Sequence, residues 1–475
     1  MIVMPACSWP ASRRVCLDGL DLRRRRWPNS GFCVSPVLAG QARETAGRTG
    51  RCPGLARPGG LGYALFAKLL DRPDEKRCAE EKLDMAKTTF RIMQIHPFLK
   101  GEGLNPRAGG KSRLSLQLSR ELAARGNDVA VFPFPEPILE KSYWLDNPGK
   151  PVRLIPTARI PAFKKLAWYF WTASQLPLTD RSPHSERLGS MFLAGLEDAV
   201  RDFQPDIIHN HLSFSDFPLL YRALRLKIPL FLTHHTHTAG QHLGSYRRII
   251  FASDALRTLV CGRDASLLER SRLIRPAVEK IFSDPSYPVS AKRKGILFVG
   301  GLRLDKGLQN LLAAYAESAA LRAVPLRICG IGPEREKFEA FAGEHKIPAA
   351  FLGRVAPETV RGEYSGAQLL VNPSPAEGFS LALAEAMCCG TPVIGWKPQV
   401  EETAKLLRMD CGSGFDPARS APEELAELIL RSVRRKNARS AACRKELAAR
   451  ARKFFSMERY ATENLLAYEE VMEEG

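Results

Sequence analysis

Two parallel α/β sheets in series, facing each other across a cleft, are the fold this sequence predicts. Three observations carry the prediction. Short apolar runs alternate with helical stretches from residue 90 onward. A segment holding Pro285 and Pro288 interrupts the alternation once, and glycine clusters stand at the ends of several runs. Alternating strand and helix implies a parallel sheet covered on both faces. Residues 90–97 read as a buried strand, 110–124 as a helix and 128–134 as the next strand. Apolar runs at 206–211, 229–235 and 255–261 continue the array, and 282–294 shows no period. A second array follows, with strands expected at 295–301, 326–330, 350–355, 368–372 and 392–396. The expected layout is an N-terminal Rossmann-like domain at 85–282, a linker at 283–294 and a C-terminal Rossmann-like domain at 295–452. A helix at 453–475 is expected to pack back on the first domain. Ligands of open parallel sheets sit beyond the carboxyl ends of the strands, so the chemistry is expected in the loops that face the cleft.

Composition narrows the function classes. The chain has 475 residues, enough for two or three domains. With 45% hydrophobic and 25% charged residues it is neither wholly disordered nor collagenous. The longest apolar run, at 166–173, is far shorter than the roughly 20 residues of a spanning helix. Lysine and arginine number 70 against 51 acidic residues, a net charge of +19. Such an excess suits an anionic partner: nucleic acid, phosphate or an acidic bilayer. Eleven cysteines, including the adjacent Cys388 and Cys389, show no disulfide framework and suit a reducing compartment.

Residues 1–84 differ from the rest. They hold Arg23 to Arg26 in a row, five of the eleven cysteines, and 15 basic against nine acidic side chains, with no sustained period. Pro5 interrupts the apolar start, so the stretch lacks the core of a secretory signal. Three readings fit: an organellar transit segment, a disordered arm, or sequence upstream of a start at Met85. The last is the expectation carried forward.

The most specific stretch is Asn372 to Gly395, NPSPAEGFSLALAEAMCCGTPVIG. Glu377 stands in a loop after a strand, Gly378 allows a tight turn, and 379–387 reads as a helix carrying Glu385. The free N–H groups that open such a helix form an anion site suited to a diphosphate. A loop carboxylate and a helix carboxylate can hold sugar and ribose hydroxyls beside it. Two solvated glutamates on an ordinary helix would give the same spacing. The upstream clusters FVGGLRLDKG (298–307), GIGP (330–333) and FLGRV (351–355) lie in order at strand ends.

With those clusters in place, residues 85–470 resemble the glycosyltransferase family 4 group, retaining enzymes of the GT-B fold that use nucleotide-diphosphate sugars. The resemblance is densest in the second domain. It implies that Lys306 neutralises the donor diphosphate, a task suited to a point charge on a flexible stem. The family carries an arginine directly after Val-Gly; this chain has Gly301 there, and Arg303 two residues on is the substitute. Glu377 matches the glutamate at the transferred sugar, and Glu385 the one at the ribose. Phe379, Ser380 and Leu381 would offer backbone N–H groups, and Arg354 and Val355 lie where the family holds the base edge. Gly109 and Gly110 match the glycine pair before the first helix, where backbone approaches phosphate or sugar. The Gly109–Ser112 run also suggests a Walker A loop, but position 105 is Asn where that motif needs glycine.

Six of the nine histidines fall between His209 and His242. Three readings stay open: substrate contact, structural histidines, or a metal site of closely spaced imidazoles. The resemblance favours the first, with His211 catalytic beside Glu377, His235 in the sugar or acceptor pocket, and neither metal nor cofactor beyond the nucleotide sugar. Lys164 and Lys165 precede four aromatics that include Trp168 and Trp171, a pattern suited to an anionic bilayer surface. A buried helix or an aromatic acceptor pocket fits that stretch equally.

The resulting expectation is a cytoplasmic, metal-independent retaining enzyme, peripheral on the inner face of the plasma membrane. It would move a hexose or related sugar from a UDP- or GDP-linked donor to a glycan or lipid-linked acceptor. One alternative is a GT-B relative that epimerises or hydrolyses nucleotide sugars. The other is a basic nucleic-acid binder, against which stands the absence of an RNA-binding aromatic motif.

Overall fold

The computed structural model describes residues 89–97, 99–100, 103–104, 110–134, 143–155, 196–211, 226–235, 243–262, 264–290, 293–374, 377–435 and 440–474. All of them belong to one compact unit. The extension at 1–84, Gly109, and the segment with Lys164, Lys165, Trp168 and Trp171 lie outside the described residues.

The first sheet is built around β1 (Arg91–Pro97). β2 (Leu99–Lys100) and β3 (Gly103–Leu104) form a separate antiparallel ribbon. β4 (Asp128–Phe134), β5 (Tyr143–Leu145), β6 (Val152–Leu154), β7 (Ile207–Asn210), β8 (Leu230–His234), β9 (Arg248–Phe251) and β10 (Ser271–Leu273) complete the sheet in the order β10-β9-β8-β7-β1-β4-β6-β5. Every pairing is parallel except β5 with β6. The second sheet runs β13-β12-β11-β14-β15-β16, all parallel, from β11 (Ile296–Val299), β12 (Leu326–Cys329), β13 (Ala349–Gly353), β14 (Leu369–Asn372), β15 (Val393–Trp396) and β16 (Gly412–Phe415).

Because side chains alternate across a strand, each sheet supports two cores, and its strands read as continuous apolar runs. Ile92, Val129, Val131 and Ile207 enter one core of the first sheet; Met93, Ala130, Phe132 and Ile208 enter the other. Ile296 and Phe298 face one core of the second sheet, and Leu297 faces the other. Leading from β1 to β4, helix α1 (Gly110–Ala124) buries Leu114, Leu118 and Leu122 against the first of these cores.

Residues 255–261 are not a strand. Helix α2 (Asp254–Cys261) occupies them, with the Ser253 hydroxyl accepting from Leu256 N–H at 3.2 Å as an N-cap. The strand is β9, seven residues earlier, whose buried Arg248 pairs with Glu470 and Glu474 and breaks the apolar pattern.

Near the C-terminus the chain passes from one core to the other. Helix α6 (Ala441–Phe454) packs Leu447 and Ala451 into the second sheet's core. Helix α7 (Met457–Glu473) places Met457, Tyr460, Ala461, Ala467, Tyr468 and Val471 in the first. The passage lies beside the linker, where Val278 N–H donates to the Phe455 carbonyl at 3.0 Å. The two halves also meet across the cleft. Ser253 Oγ donates to the Gly378 carbonyl at 2.9 Å, and Arg275 pairs with Glu402 in a largely buried contact. No helix among the described residues is long and apolar enough to cross a membrane.

Since α7 completes the first core, Tyr460→Ala should cost about 3–5 kcal/mol, the usual loss for a large buried ring. Urea unfolding would measure it, and a cost under about 1 kcal/mol would contradict this packing.

Candidate active site

In the second sheet the strand order reverses between β11 and β14, and the loops after these two strands build the site. After β11 a single helical turn, Leu304–Lys306, ends at Gly307, whose φ of 78° lies in the left-handed region. A Cβ on Gly307 would stand 2.0 Å from the Pro373 carbonyl oxygen, so only glycine lets the loops close this far. Two hydrogen bonds staple them: Ser374 Oγ to the Asp305 carbonyl at 2.8 Å, and Asn310 Nδ2 to the Pro373 carbonyl at 3.2 Å. The result is an ion pair across the switch point, with Lys306 Nζ 2.8 Å from Glu377 Oε1. Glu377 is 13% exposed and Lys306 27%.

Arg303 is engaged differently from the expectation. Its guanidinium grips Asp305 through two hydrogen bonds of 2.8 and 2.5 Å. That grip raises the Arg303 pKa and lowers that of Asp305 below the usual carboxylate range. Each of the two cations in this loop thus has a carboxylate partner. Gly301 leaves room beside them, for a Cβ there meets nothing nearer than the Ile331 carbonyl oxygen at 4.0 Å.

Helix α4 (Leu381–Cys388) starts next to the pair, two residues later than the sequence suggests. Ser380 precedes it, but its N–H donates to Gln399 Oε1 at 2.8 Å while Gln399 Nε2 donates to the Ser380 carbonyl at 3.0 Å. The Ser380 amide is therefore engaged within the protein and not open to a phosphate, a correction to its expected role. Phe379 packs edge-on against Phe455 with ring centroids 5.9 Å apart. Leu381 lies under the start of α1: a Cβ on Gly110 would come within 2.7 Å of Leu381 Cδ1. Two helix N-termini, one from each half, thus converge here.

Glu385 is almost fully enclosed, 6% exposed, and accepts the Tyr364 hydroxyl at 2.7 Å. Burial raises its pKa; the Tyr364 hydrogen bond and the positive charge of Arg113 oppose that rise, and Glu279 adds to it. Arg354 is exposed and Val355 half-buried, both just beyond β13.

From the first sheet come the histidines. His209 on β7 is wholly buried, with Nδ1 2.6 Å from the Tyr468 hydroxyl and Nε2 2.7 Å from Thr233 Oγ1. Burial drives its pKa down to about 3, so the ring is neutral. With both nitrogens engaged it is a structural histidine. His211, just past β7, has Nε2 2.5 Å from Gln94 Oε1 and stacks on His235 with centroids 6.0 Å apart. The His235 carbonyl oxygen would stand 2.6 Å from a Cβ on Gly378, so this histidine segment touches the Glu377 loop directly. Among the described residues no three His, Cys, Asp or Glu side chains gather as a metal site would require.

Lys306, Glu377, Gly110, Leu381, His211 and His235 thus meet where the halves face each other, with Glu385 buried on α4 itself. Tyr364, Gln399, Gln94 and Ser253 support them, and no spacing in the sequence marked these four.

Comparison with known proteins identifies the two halves separately. A model described as Glycosyltransferase Family 4 matches residues 108–266, and one described as Glycosyl transferases group 1 matches 280–453. The chain belongs to the family 4 glycosyltransferases. This glycosyltransferase is 30% identical over 174 residues to an uncharacterized glycosyltransferase of Methanocaldococcus jannaschii, a match spanning 33% of this chain and 44% of that protein. It is 25% identical over 338 residues to a GDP-mannose-dependent alpha-mannosyltransferase of Corynebacterium glutamicum, covering 64% and 73% of the two chains. Its fold matches that of sucrose-phosphate synthase from Thermosynechococcus elongatus with a TM-score of 0.59 at 21% identity, over 81% of this chain and 99% of that one.

The raised Glu385 pKa has a sign that can be tested. A carboxyl whose folded value lies above its unfolded value favours folding when protonated, and that contribution is lost as pH rises through the folded value. Glu385→Gln should therefore unfold at higher urea than the parent at pH 7, with the gap closing as pH falls to 4.5 or below, the carboxyl's ordinary value. Equal midpoints at pH 7 would contradict the burial penalty.

Proposed function

We propose that this glycosyltransferase moves a hexose or related sugar from a UDP- or GDP-linked donor to a glycan or lipid-linked acceptor, with retention at the anomeric carbon. The observation that carries the reading is the Lys306–Glu377 pair at the switch point, 2.8 Å long and beside the start of α4. A diphosphate entering there takes Lys306 as its counter-charge and releases Glu377 toward the sugar. Glu385, held by Tyr364, is the ribose acceptor, and Arg354 and Val355 border the base. Arg303 supplies a second cation if it exchanges Asp305 for phosphate. The protein needs no resident metal for this step, because its own cations meet the charge that develops on the leaving group.

In the transfer, the bond from the anomeric carbon to the β-phosphate oxygen breaks and the acceptor oxygen bonds to that carbon on the same face. The acceptor proton passes to the departing phosphate oxygen. His211 and His235 border the sugar from the first half. Contact between the His235 segment and the Glu377 loop excludes water, which would otherwise hydrolyse the donor. The similarity to a GDP-mannose-dependent enzyme supports a nucleoside diphosphate donor. Cell-surface polysaccharide or glycolipid synthesis at the cytoplasmic face is the setting proposed. Bilayer contact through Lys164, Lys165, Trp168 and Trp171 rests on the composition of that stretch alone.

Thermal unfolding with UDP and with GDP tests the donor site. At ~100 times its dissociation constant, the right nucleotide should stabilise the fold by about 2.7 kcal/mol, and Lys306→Ala should abolish that gain. No response to either nucleotide would sink the reading. Gly301→Arg should fit the open position and restore the arginine the family carries there. A charge-assisted phosphate contact is worth roughly 1.5–3 kcal/mol, so calorimetry should find nucleotide binding at least about tenfold tighter; unchanged affinity would mean the position does not face the phosphates.

A further inference from the structure

A chain of buried polar groups runs behind the sugar site. Gln94 on β1 and His209 on β7 are register partners at the centre of the first sheet. Gln94 is fully enclosed, with Oε1 2.5 Å from His211 Nε2 and Nε2 3.5 Å from the Tyr468 hydroxyl. The Tyr468 hydroxyl lies 2.6 Å from His209 Nδ1, and His209 Nε2 lies 2.7 Å from Thr233 Oγ1. An apolar residue would serve packing at Gln94 and Tyr468 equally well, and a buried amide or phenol without partners is costly. Their polar atoms are spent on the two histidines.

The donors and acceptors can be followed along this chain. His209 is neutral, its pKa driven down by burial, and so carries one N–H. If Tyr468 O–H donates to Nδ1, that N–H is at Nε2 and donates to Thr233. The Tyr468 oxygen then accepts from the Gln94 amide N–H, which turns Gln94 Oε1 toward His211. An amide oxygen can only accept, so in this arrangement His211 Nε2 carries its proton. Each step agrees with the next.

We propose that Gln94 and Tyr468 are positioning residues that hold His211 in its Nε2–H tautomer, with Gln94 Oε1 as the fixed acceptor of that proton. This rests on the proposed role of His211 at the transferred sugar. It makes α7, the helix that returns from the second half, part of the wiring of the sugar site.

Long-range proton–nitrogen spectra of the full chain labelled with 15N-histidine read the tautomer directly. The His211 ring, identified by its loss in His211→Gln, should give the Nε2–H pattern in the parent protein. Gln94→Leu should give mixed tautomers at His211, and Tyr468→Phe should shift both His209 and His211. With GDP-mannose and UDP-glucose as probes, Gln94→Leu should lower kcat about tenfold for whichever is turned over and leave KM within twofold. An Nδ1–H pattern in the parent, or an unchanged His211 spectrum in Gln94→Leu, would overturn the proposal. The parent spectrum decides it even if a variant fails to fold. It needs no turnover, so a chain that transfers no sugar and a Gln94 that does not hold His211 give different results.

Discussion

Two approaches of backbone to backbone hold the site together, and both depend on glycine. At Gly307 the loop after β11 comes so close to Pro373 that a side chain would overlap the carbonyl. At Gly378 the loop after β14 comes within 2.6 Å, measured from a Cβ there, of the His235 carbonyl oxygen of the other half. The first contact brings Lys306 to Glu377; the second brings Glu377 to the histidines. Neither relies on flexible side chains, so the charged groups are set by the main chain before any ligand arrives. Such preorganisation lets a small number of dipoles and charges act strongly on developing charge.

In a chain of net charge +19, both cations of the loop after β11 carry an acidic partner. Lys306 and Arg303 are each matched by a carboxylate. For the half-buried Lys306, the carboxylate partner offsets part of the desolvation that burial imposes. On the proposed function a diphosphate enters by exchange, replacing one anion at the lysine with another, and the displaced Glu377 carboxylate turns toward the sugar. Glu385 shows the complementary strain. Its carboxylate is held where burial disfavours charge, with Tyr364 as partial compensation. A buried carboxyl costs stability here, and on the proposed function that cost is the trade expected of a residue kept for its ligand.

How much of this could be read from the sequence depends on the distance along the chain over which each role is decided. Helix α1 and strand β4 have the bounds their periodicity suggests, because local pattern decides them. The 255–261 stretch misleads because a short apolar run fits strand and buried helix alike; the deciding signal was the Ser253–Asp254 cap before it. β9 was missed because Arg248 sits buried in a strand on the strength of acidic partners more than 200 residues away. The same contrast holds in the site. Lys306, Glu377 and Glu385 stand out in the sequence because their clusters are compact and resemble a family's, and the structure pairs the first two. Ser380 looked like an open amide at a helix start, and the Gln399 that occupies it lies on another helix. Gln94, Tyr364 and Tyr468 take their roles from partners between 21 and 374 residues distant, which no local spacing reveals.

The return of α7 to the first half links fold to chemistry. A C-terminal helix that only completed a core could present apolar side chains throughout, as Met457, Ala461 and Val471 do. Tyr468 instead carries its hydroxyl into the centre of the sheet, between β1 and β7, where the carboxyl ends of both strands lead into the cleft. The two chain passages between the halves lie side by side, at Val278 and Phe455. Any movement of one half against the other must therefore turn about the point from which α7 departs. The helix moves with the first half, into whose core it packs, so the contacts of His209 and Gln94 with Tyr468 persist through such a turn. The contacts between the halves farther from that point are those at Gly378 and Leu381. Such a turn would change what faces the cleft while the groups that hold the histidines stay with the first half, a division that follows from where one helix crosses.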